Sequence, residues 1–328
     1  MHTLSPNQHI QAIVKAIKFE EKKLRARHTF LAHQNTLGLI IVLTSLGALI
    51  GLGTLYYLAV IPAWLCIIAA AIVTSISHEM EHDLIHKQYF GKHPIMHNLL
   101  MLIVWCMRPN TINPWFRRKI HLHHHKVSGT DQDIEERLVG NGTKNPFIRA
   151  VIVCDGLLSL MISGLRMQKE IKGFRFLTIF NAGFPLATAY FVMLYGFLGF
   201  HLLNFLAIPI DYPQWLLSNI PWINLVMVTL IFPNVLRSAS LNLVTSSMHY
   251  YGGVNNLLQQ THVLTHWAFA PFQLFCFNFG ATHTIHHFIP NQPFYIRQWI
   301  SKQVLPIMAT HGVRFNDLAS LKYANLYR

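Results

Sequence analysis

Two long stretches of this chain carry almost no charge, and that limits its fold more than any other feature. From Leu37 to Ser77 there is no Lys, Arg, Asp or Glu, and from Phe176 to Leu236 the only charged residue is Asp211. About 20 apolar residues span the hydrocarbon of a bilayer, so each stretch is too long for one crossing. Each therefore reads as two helices joined by a turn, near Ile61-Pro62 in the first and between Pro209 and Pro213 in the second. The predicted spans are about 37–60, 62–80, 176–200 and 222–246. Only 12% of the 328 residues are charged, whereas a soluble domain carries about 25%. The expected fold is an all-α integral membrane protein, four transmembrane helices in two hairpins with a cytosolic helical cap.

The basic residues orient these spans. Neither hairpin connection holds Lys or Arg, whereas the N-terminal segment has Lys15, Lys18, Lys22, Lys23, Arg25 and Arg27 and the segment from His78 to Arg175 has many more. By the positive-inside rule both termini and the central segment are cytosolic. The expected location is a multi-pass position in a bacterial inner membrane. The net charge of +13 is spread along membrane-flanking segments, which suits anionic lipid better than nucleic acid. Residues 1–36, with Ile10, Ile13, Val14 and Ile17 at helical spacing, read as an amphipathic helix lying on the membrane. Residues 37–328 form a single membrane domain. No cleavable leader is expected, because the first apolar run has full transmembrane length. Cys66, Cys106, Cys154 and Cys276 stand singly, without a C-x-x-C pair, and read as buried thiols.

Eleven histidines gather in four clusters at the predicted cytosolic ends of these spans. They are His78, His82 and His86; His121, His123, His124 and His125; His249; and His283, His286 and His287. Residues at i, i+3 and i+4 share a helix face, so each tight cluster aims its rings at one point. Neutral imidazole is the commonest metal ligand, and one tetrahedral zinc could not use so many. The expected ligands of two metal ions are His78, His82, His121, His124, His125, His249, His283, His286 and His287. His123 points elsewhere on its helix. His86 and Glu79 are expected behind the ligands, with His86 also able to join them, and His262 and His266 in an interfacial or supporting role. His201 falls on the far side of the membrane. Glu81 and Asp83 either orient ligands or are solvated, and the run from Asp131 to Glu136 reads as a solvated acidic turn.

One competing reading is local. His78-Glu-Met-Glu-His82 matches H-E-x-x-H, the zinc protease motif in which the Glu is the general base. It would leave the histidines at 121–125 and 283–287 without a role.

Taken together, these clusters resemble the membrane fatty acid desaturase/hydroxylase superfamily. Its boxes H-x(3-4)-H, H-x(2-3)-H-H and H-x-x-H-H correspond here to His78 and His82, to His121, His124 and His125, and to His283, His286 and His287, followed by Pro290-Asn291. The additional family histidine falls on His249, whose His249-Tyr250-Tyr251-Gly252 context is similar to that of sphingolipid desaturases and alkane hydroxylases. Acyl-CoA desaturases carry an Asn four residues before it; this chain has Thr245 there, with Asn242 one turn away.

The resemblance implies a non-haem centre of two Fe ions, O2 as co-substrate and a fatty acyl substrate (free, CoA-, carrier- or lipid-linked) in an apolar tunnel. It also implies a separate electron donor, a ferredoxin or a cytochrome, because four dispersed cysteines cannot hold an iron–sulfur cluster. Desaturation is the expected reaction. Hydroxylation of a fatty acid or alkane, and decarboxylation of a fatty acid to a terminal alkene, use the same ligands and stay open.

Overall fold

The computed structural model describes residues 4–328, all helix and loop, with no strand among them beyond two isolated bridges. Four helices are long and apolar enough to cross a membrane: Gln34–Tyr57, Ala63–Ile85, Leu186–Phe205 and Gln214–Met248. In chain order we name α1 (Pro6–Arg27), α2 (Gln34–Tyr57), α3 (Ala63–Ile85), α4 (Pro94–Cys106) and α5 (Pro114–Val127). After these come α6 (Ile134–Leu138), α7 (Pro146–Cys154), α8 (Leu186–Phe205), α9 (Gln214–Met248), α10 (Phe279–Phe288) and α11 (Phe294–Thr310).

Proline sets the limits of the third and fourth spans. The expected third span, 176–200, is divided: Phe176–Ala182 is a short separate helix, and α8 starts only after Pro185. A proline has no N–H to continue a helix and disfavours the α conformation in the residue before it. The fourth span starts at Gln214, after Pro213, rather than near 222, and keeps Pro221 inside it. At Met227–Ile231, just before Pro233, α9 relaxes into a π-helical turn. A wider turn is how a helix accommodates a proline without stopping.

At 35 residues α9 is about 52 Å long at 1.5 Å per residue, more than the roughly 30 Å of bilayer hydrocarbon. Its two halves differ accordingly. Gln214–Val226 has no buried residue, whereas Phe232–Met248 buries Asn234, Arg237, Ser240, Thr245, Ser246 and Ser247. In the same way α3 is buried without a break from Ser77 to Ile85.

One apolar cluster joins α2, α3, α4 and the start of α11 through Val42, Met80, Leu84, Tyr89, Leu100, Met101, Val104 and Phe294. Gly38 makes room for it, since a Cβ there would stand 2.5 Å from the Tyr89 ring. A second cluster corrects the expectation for the N-terminus. Ile13 and Ile17 of α1 are fully buried against Ile296, Ile300, Val304 and Met308 of α11, so this helix turns its apolar stripe to protein rather than to lipid. α4, too short to span, is half buried between α3 and α5.

Truncating Ile17 therefore opens a cavity in a packed interface. Ile17→Ala is expected to cost about 2–5 kcal/mol, read as a lowered midpoint of denaturant unfolding in detergent; an unchanged midpoint would mean that α1 is not docked on α11.

Candidate metal centre

Four helix ends bring the histidines together. His82 lies on the last turn of α3, and His86 is that helix's C-cap. His121, His124 and His125 lie on α5, which starts at Pro114 with the Asn113 side chain accepting from the Phe116 N–H at 2.8 Å. His249 is the C-cap of α9, and His283, His286 and His287 lie on the fully buried α10.

Their rings form two adjacent quartets, His82, His86, His121 and His286 in one, His124, His249, His283 and His287 in the other. Within each quartet one ring nitrogen per residue lies within 4.8 Å of all the others. The ring centroids of His121 and His124, one from each quartet, are 5.7 Å apart. His125 adds a fifth nitrogen to the first group, its Nε2 at 2.9 Å from His286 Nε2 and 3.1 Å from His121 Nε2.

The other ring nitrogen of several of these residues is held by an oxygen. His121 Nδ1 lies 2.8 Å from Glu135 Oε2 and His124 Nδ1 2.9 Å from Asp133 Oδ2. His249 Nδ1 is 2.9 Å from the Thr245 carbonyl and 3.3 Å from Glu136, and His287 Nδ1 is 2.9 Å from Gln260 Oε1. An ionised carboxylate or a carbonyl only accepts, so Nδ1 must donate and the Nε2 lone pair is left pointing inward. Glu136 is itself fixed by the Thr245 hydroxyl at 3.1 Å and the Asn141 amide at 2.9 Å. Asp133 and Glu136 are thus buried beside the histidines and Glu135 is half-buried there, while Asp131 and Gln132 stay exposed, so the acidic run is not simply a solvated turn. Its Asp133, Glu135 and Glu136 orient ligands, the arrangement that raises ligand basicity and fixes the tautomer.

Burial keeps most of these rings neutral. It pushes His121, His283, His286 and His287 well below the ordinary imidazole range, and brings His249 down to about 3. At His124 burial acts in the same direction, but the charges of Asp133, Glu135 and Glu136 overcome it and raise the ring to about 10. The inward-facing lone pairs of His249 and His287, whose Nε2 atoms are 3.2 Å apart, repel unless a cation stands between them. His82 leaves both ring nitrogens without a partner, and His86 leaves Nε2, at almost no exposure. Orphaned buried nitrogens are costly; a metal ion satisfies them. The donor set, all imidazole nitrogen, suits iron or zinc and not magnesium or calcium.

The sequence matches the fatty acid desaturase family over residues 58–319, about four fifths of its length. The chain belongs to that family. Membership implies an oxidoreductase that works on fatty acyl chains in a membrane, and the family is one that uses metal. No curated protein matches the sequence.

Within this desaturase-family chain, the first histidine cluster is brought together differently from the expectation. The expected pair was His78 and His82; the pair that enters a quartet is His82 and His86. His78 stands apart, its ring centroid 6.4 Å from that of His82 and its Nδ1 2.7 Å from the Arg108 guanidinium. Both pairs have the same i, i+4 spacing, so spacing alone could not separate them. The same placement does not favour the H-E-x-x-H reading, because His78 joins His82 in neither quartet and Glu79 pairs with Arg297 at 3.1 Å. His123 is exposed, as expected. His262 is buried with Nε2 3.0 Å from the Ser247 carbonyl, and His266 caps the short turn at Trp267. Thr245 faces His249 Nδ1 at 3.1 Å, and Asn242 donates to the Val153 carbonyl at 3.1 Å.

Two cavities adjoin the quartets. A chamber of about 70 Å³ is lined by His82, His121, His124, His283, Asn242 and Thr245. It abuts a cavity of about 500 Å³ between α5, α8 and α9, with Asn242, Leu241, Val139 and His78 on the walls of both. The larger one is mainly apolar, with Leu157, Leu160, Ile179, Phe180 and Phe191 on its walls, yet Arg108, Arg117 and Arg237 also face it. Arg237 was missed among the candidate site residues. The available signal was a lone arginine in an otherwise apolar span, and such a residue is functional by default.

On this geometry His86→Ala is expected to lose the metal of its quartet while His78→Ala keeps both, by metal analysis of the purified protein. Asp133→Asn, which leaves His124 without its carboxylate, is expected to lower metal affinity about 10–100-fold. Full retention in His86→Ala would return the first box to His78 and His82.

Proposed function

We propose that this protein is a membrane-bound, O2-dependent di-iron oxidase that desaturates a fatty acyl chain. The observation that carries the reading is the pair of histidine quartets beside a small chamber that adjoins a mainly apolar cavity of about 500 Å³. Two iron ions bound by His82, His86, His121, His125 and His286 and by His124, His249, His283 and His287 would supply the redox chemistry with O2.

The chain's own residues do the rest. Asp133, Glu135, Glu136 and Gln260 hold the Nδ1 protons and keep each Nε2 turned to its metal. The apolar cavity takes the acyl chain, excludes water and sets which C–H bond meets the chamber. Glu79 and Asp83 have a structural part, holding Arg297 against His286 at 3.0 Å.

The two hairpins with inward-facing termini follow from the basic residues and place the centre on the cytosolic side. Electrons come from a separate ferredoxin or cytochrome, because the four cysteines are free and dispersed. Lys119 and Lys126, exposed on the helix that carries the second box, suit an acidic donor.

Product analysis by mass spectrometry under O2 tests the reading: an unsaturated acyl product is expected, lost in His124→Ala and His286→Ala while both variants remain membrane-inserted. One zinc per chain with no O2 dependence defeats it. Lys119→Glu with Lys126→Glu is expected to slow reduction by the donor at low salt and to leave product formation with a chemical reductant unchanged. Unchanged reduction at low salt would place the donor elsewhere.

A further inference from the structure

Arg237 is a buried cation with no carboxylate paired to it. It is 1% exposed, on α9 among the residues of the long cavity. Its only hydrogen bonds are to neutral amides, Nε to Asn234 Oδ1 at 3.1 Å and Nη2 to Asn110 Oδ1 at 3.1 Å, and its Nη1 makes none among the described residues. No described carboxylate lies within 4.0 Å of it. The neighbouring arginines are in a different state. Arg108 and Arg117 share Glu81 between them, and Arg117 also reaches Glu135 at 3.6 Å. Glu81 and Glu135 bring two negative charges to the three guanidinium groups of Arg108, Arg117 and Arg237, so the polar end of the cavity has one cation in excess.

An arginine cannot relieve this by losing a proton, and a buried unpaired charge is among the most costly features a structure can hold. Asn234 is fixed in turn by donating to the carbonyls of Met107 and Leu230, each at 3.0 Å, so the guanidinium is held in place with one nitrogen free. A fixed, planar, partly unsatisfied guanidinium is shaped for a carboxylate.

We propose that Arg237 is an anion site inside the cavity and that it takes the carboxylate of an unesterified long-chain acid, the remainder of the chain lying along Leu157, Leu160, Ile179, Phe180 and Phe191. The inference rests on the oxidase reading and names its substrate class. It also sets the polarity of binding. Leu241 and Asn242, about one turn beyond Arg237 on α9, line both the cavity and the chamber beside the histidines. An acid seated this way enters head first, and the carbons nearest its carboxylate are those closest to the metal centre. A thioester has no charge to offer Arg237, and its bulky carrier could not follow it to a residue this buried.

Equilibrium binding to the full-length protein in lipid nanodiscs tests the proposal, with radiolabelled dodecanoate and methyl dodecanoate as probes for wild type, Arg237→Gln and Arg237→Lys. Wild type should prefer the acid by about tenfold or more, the worth of a charged hydrogen-bonded contact. Arg237→Gln should weaken acid binding alone and bring the two probes near parity, and Arg237→Lys should keep part of the preference. Parity in wild type, with a small inorganic anion left as the counter-charge, overturns the assignment; so does an unchanged preference in Arg237→Gln. Should Arg237→Gln fail to fold, the comparison of acid and ester in wild type still decides. If the ester is bound and oxidised as well as the acid, this inference falls and the oxidase reading stands. If neither is bound or oxidised, both fall.

Discussion

Arg297 is the contact on which the arrangement of the centre depends. Glu79 and Asp83, one turn apart on α3, both reach its guanidinium, at 3.1 and 3.3 Å. The same guanidinium donates to the Gln292 carbonyl and lies 3.0 Å from His286 Nδ1, so one side chain joins α3, α10 and α11. Asp83 completes the link by accepting from the Phe294 N–H at 2.8 Å and the Tyr89 hydroxyl at 2.9 Å. Such a buried network adds little net stability compared with apolar packing, but breaking one partner leaves a stranded charge worth about 3–5 kcal/mol. Its effect is positional: one guanidinium ties His286 of α10 to the two carboxylates of α3.

A second layer of the same logic lies on the opposite side of the centre. Asp133, Glu135 and Glu136 come from a short helix and its cap and reach histidines on α5 and α9. The metal ligands are thus held between two sets of carboxylates, one acting through an arginine and one directly on the rings. The distinction has a chemical meaning. Direct carboxylates settle which nitrogen faces the metal, whereas the arginine network settles where the helices sit.

Much of this was legible in the sequence because it depended on strong, local signals. Charge-free runs marked the membrane helices, and i, i+3, i+4 spacing marked the histidine faces. The rest failed for identifiable reasons. His78–His82 and His82–His86 repeat the same period, and only the tertiary placement of Arg108 against His78 separates them. The acidic run at 131–136 looked solvated because its partners lie on other helices, His121 and His124 on α5 and Thr245 and His249 at the end of α9, and no helical spacing links them to it. The limits of the third and fourth spans moved because single prolines, at 185 and 213, outweighed the hydropathy of their surroundings. The apolar stripe of α1 was read as facing the membrane, whereas its cover is α11, and no one-dimensional pattern distinguishes a lipid surface from a protein one.

The π-helical turn of α9 also sets the phase of the helix. A wider turn takes up about one residue more than an α turn, and each residue of an α-helix advances the azimuth by about 100°. Everything beyond Ile231 is therefore rotated together relative to the lipid-facing half of the helix. The residues that travel with this rotation are Arg237, Leu241, Asn242, Thr245 and His249, the whole series from the cavity to the second quartet. A single helix can in this way present one face to lipid along its first half and an unrelated face to the site along its second, with the two faces free to change independently.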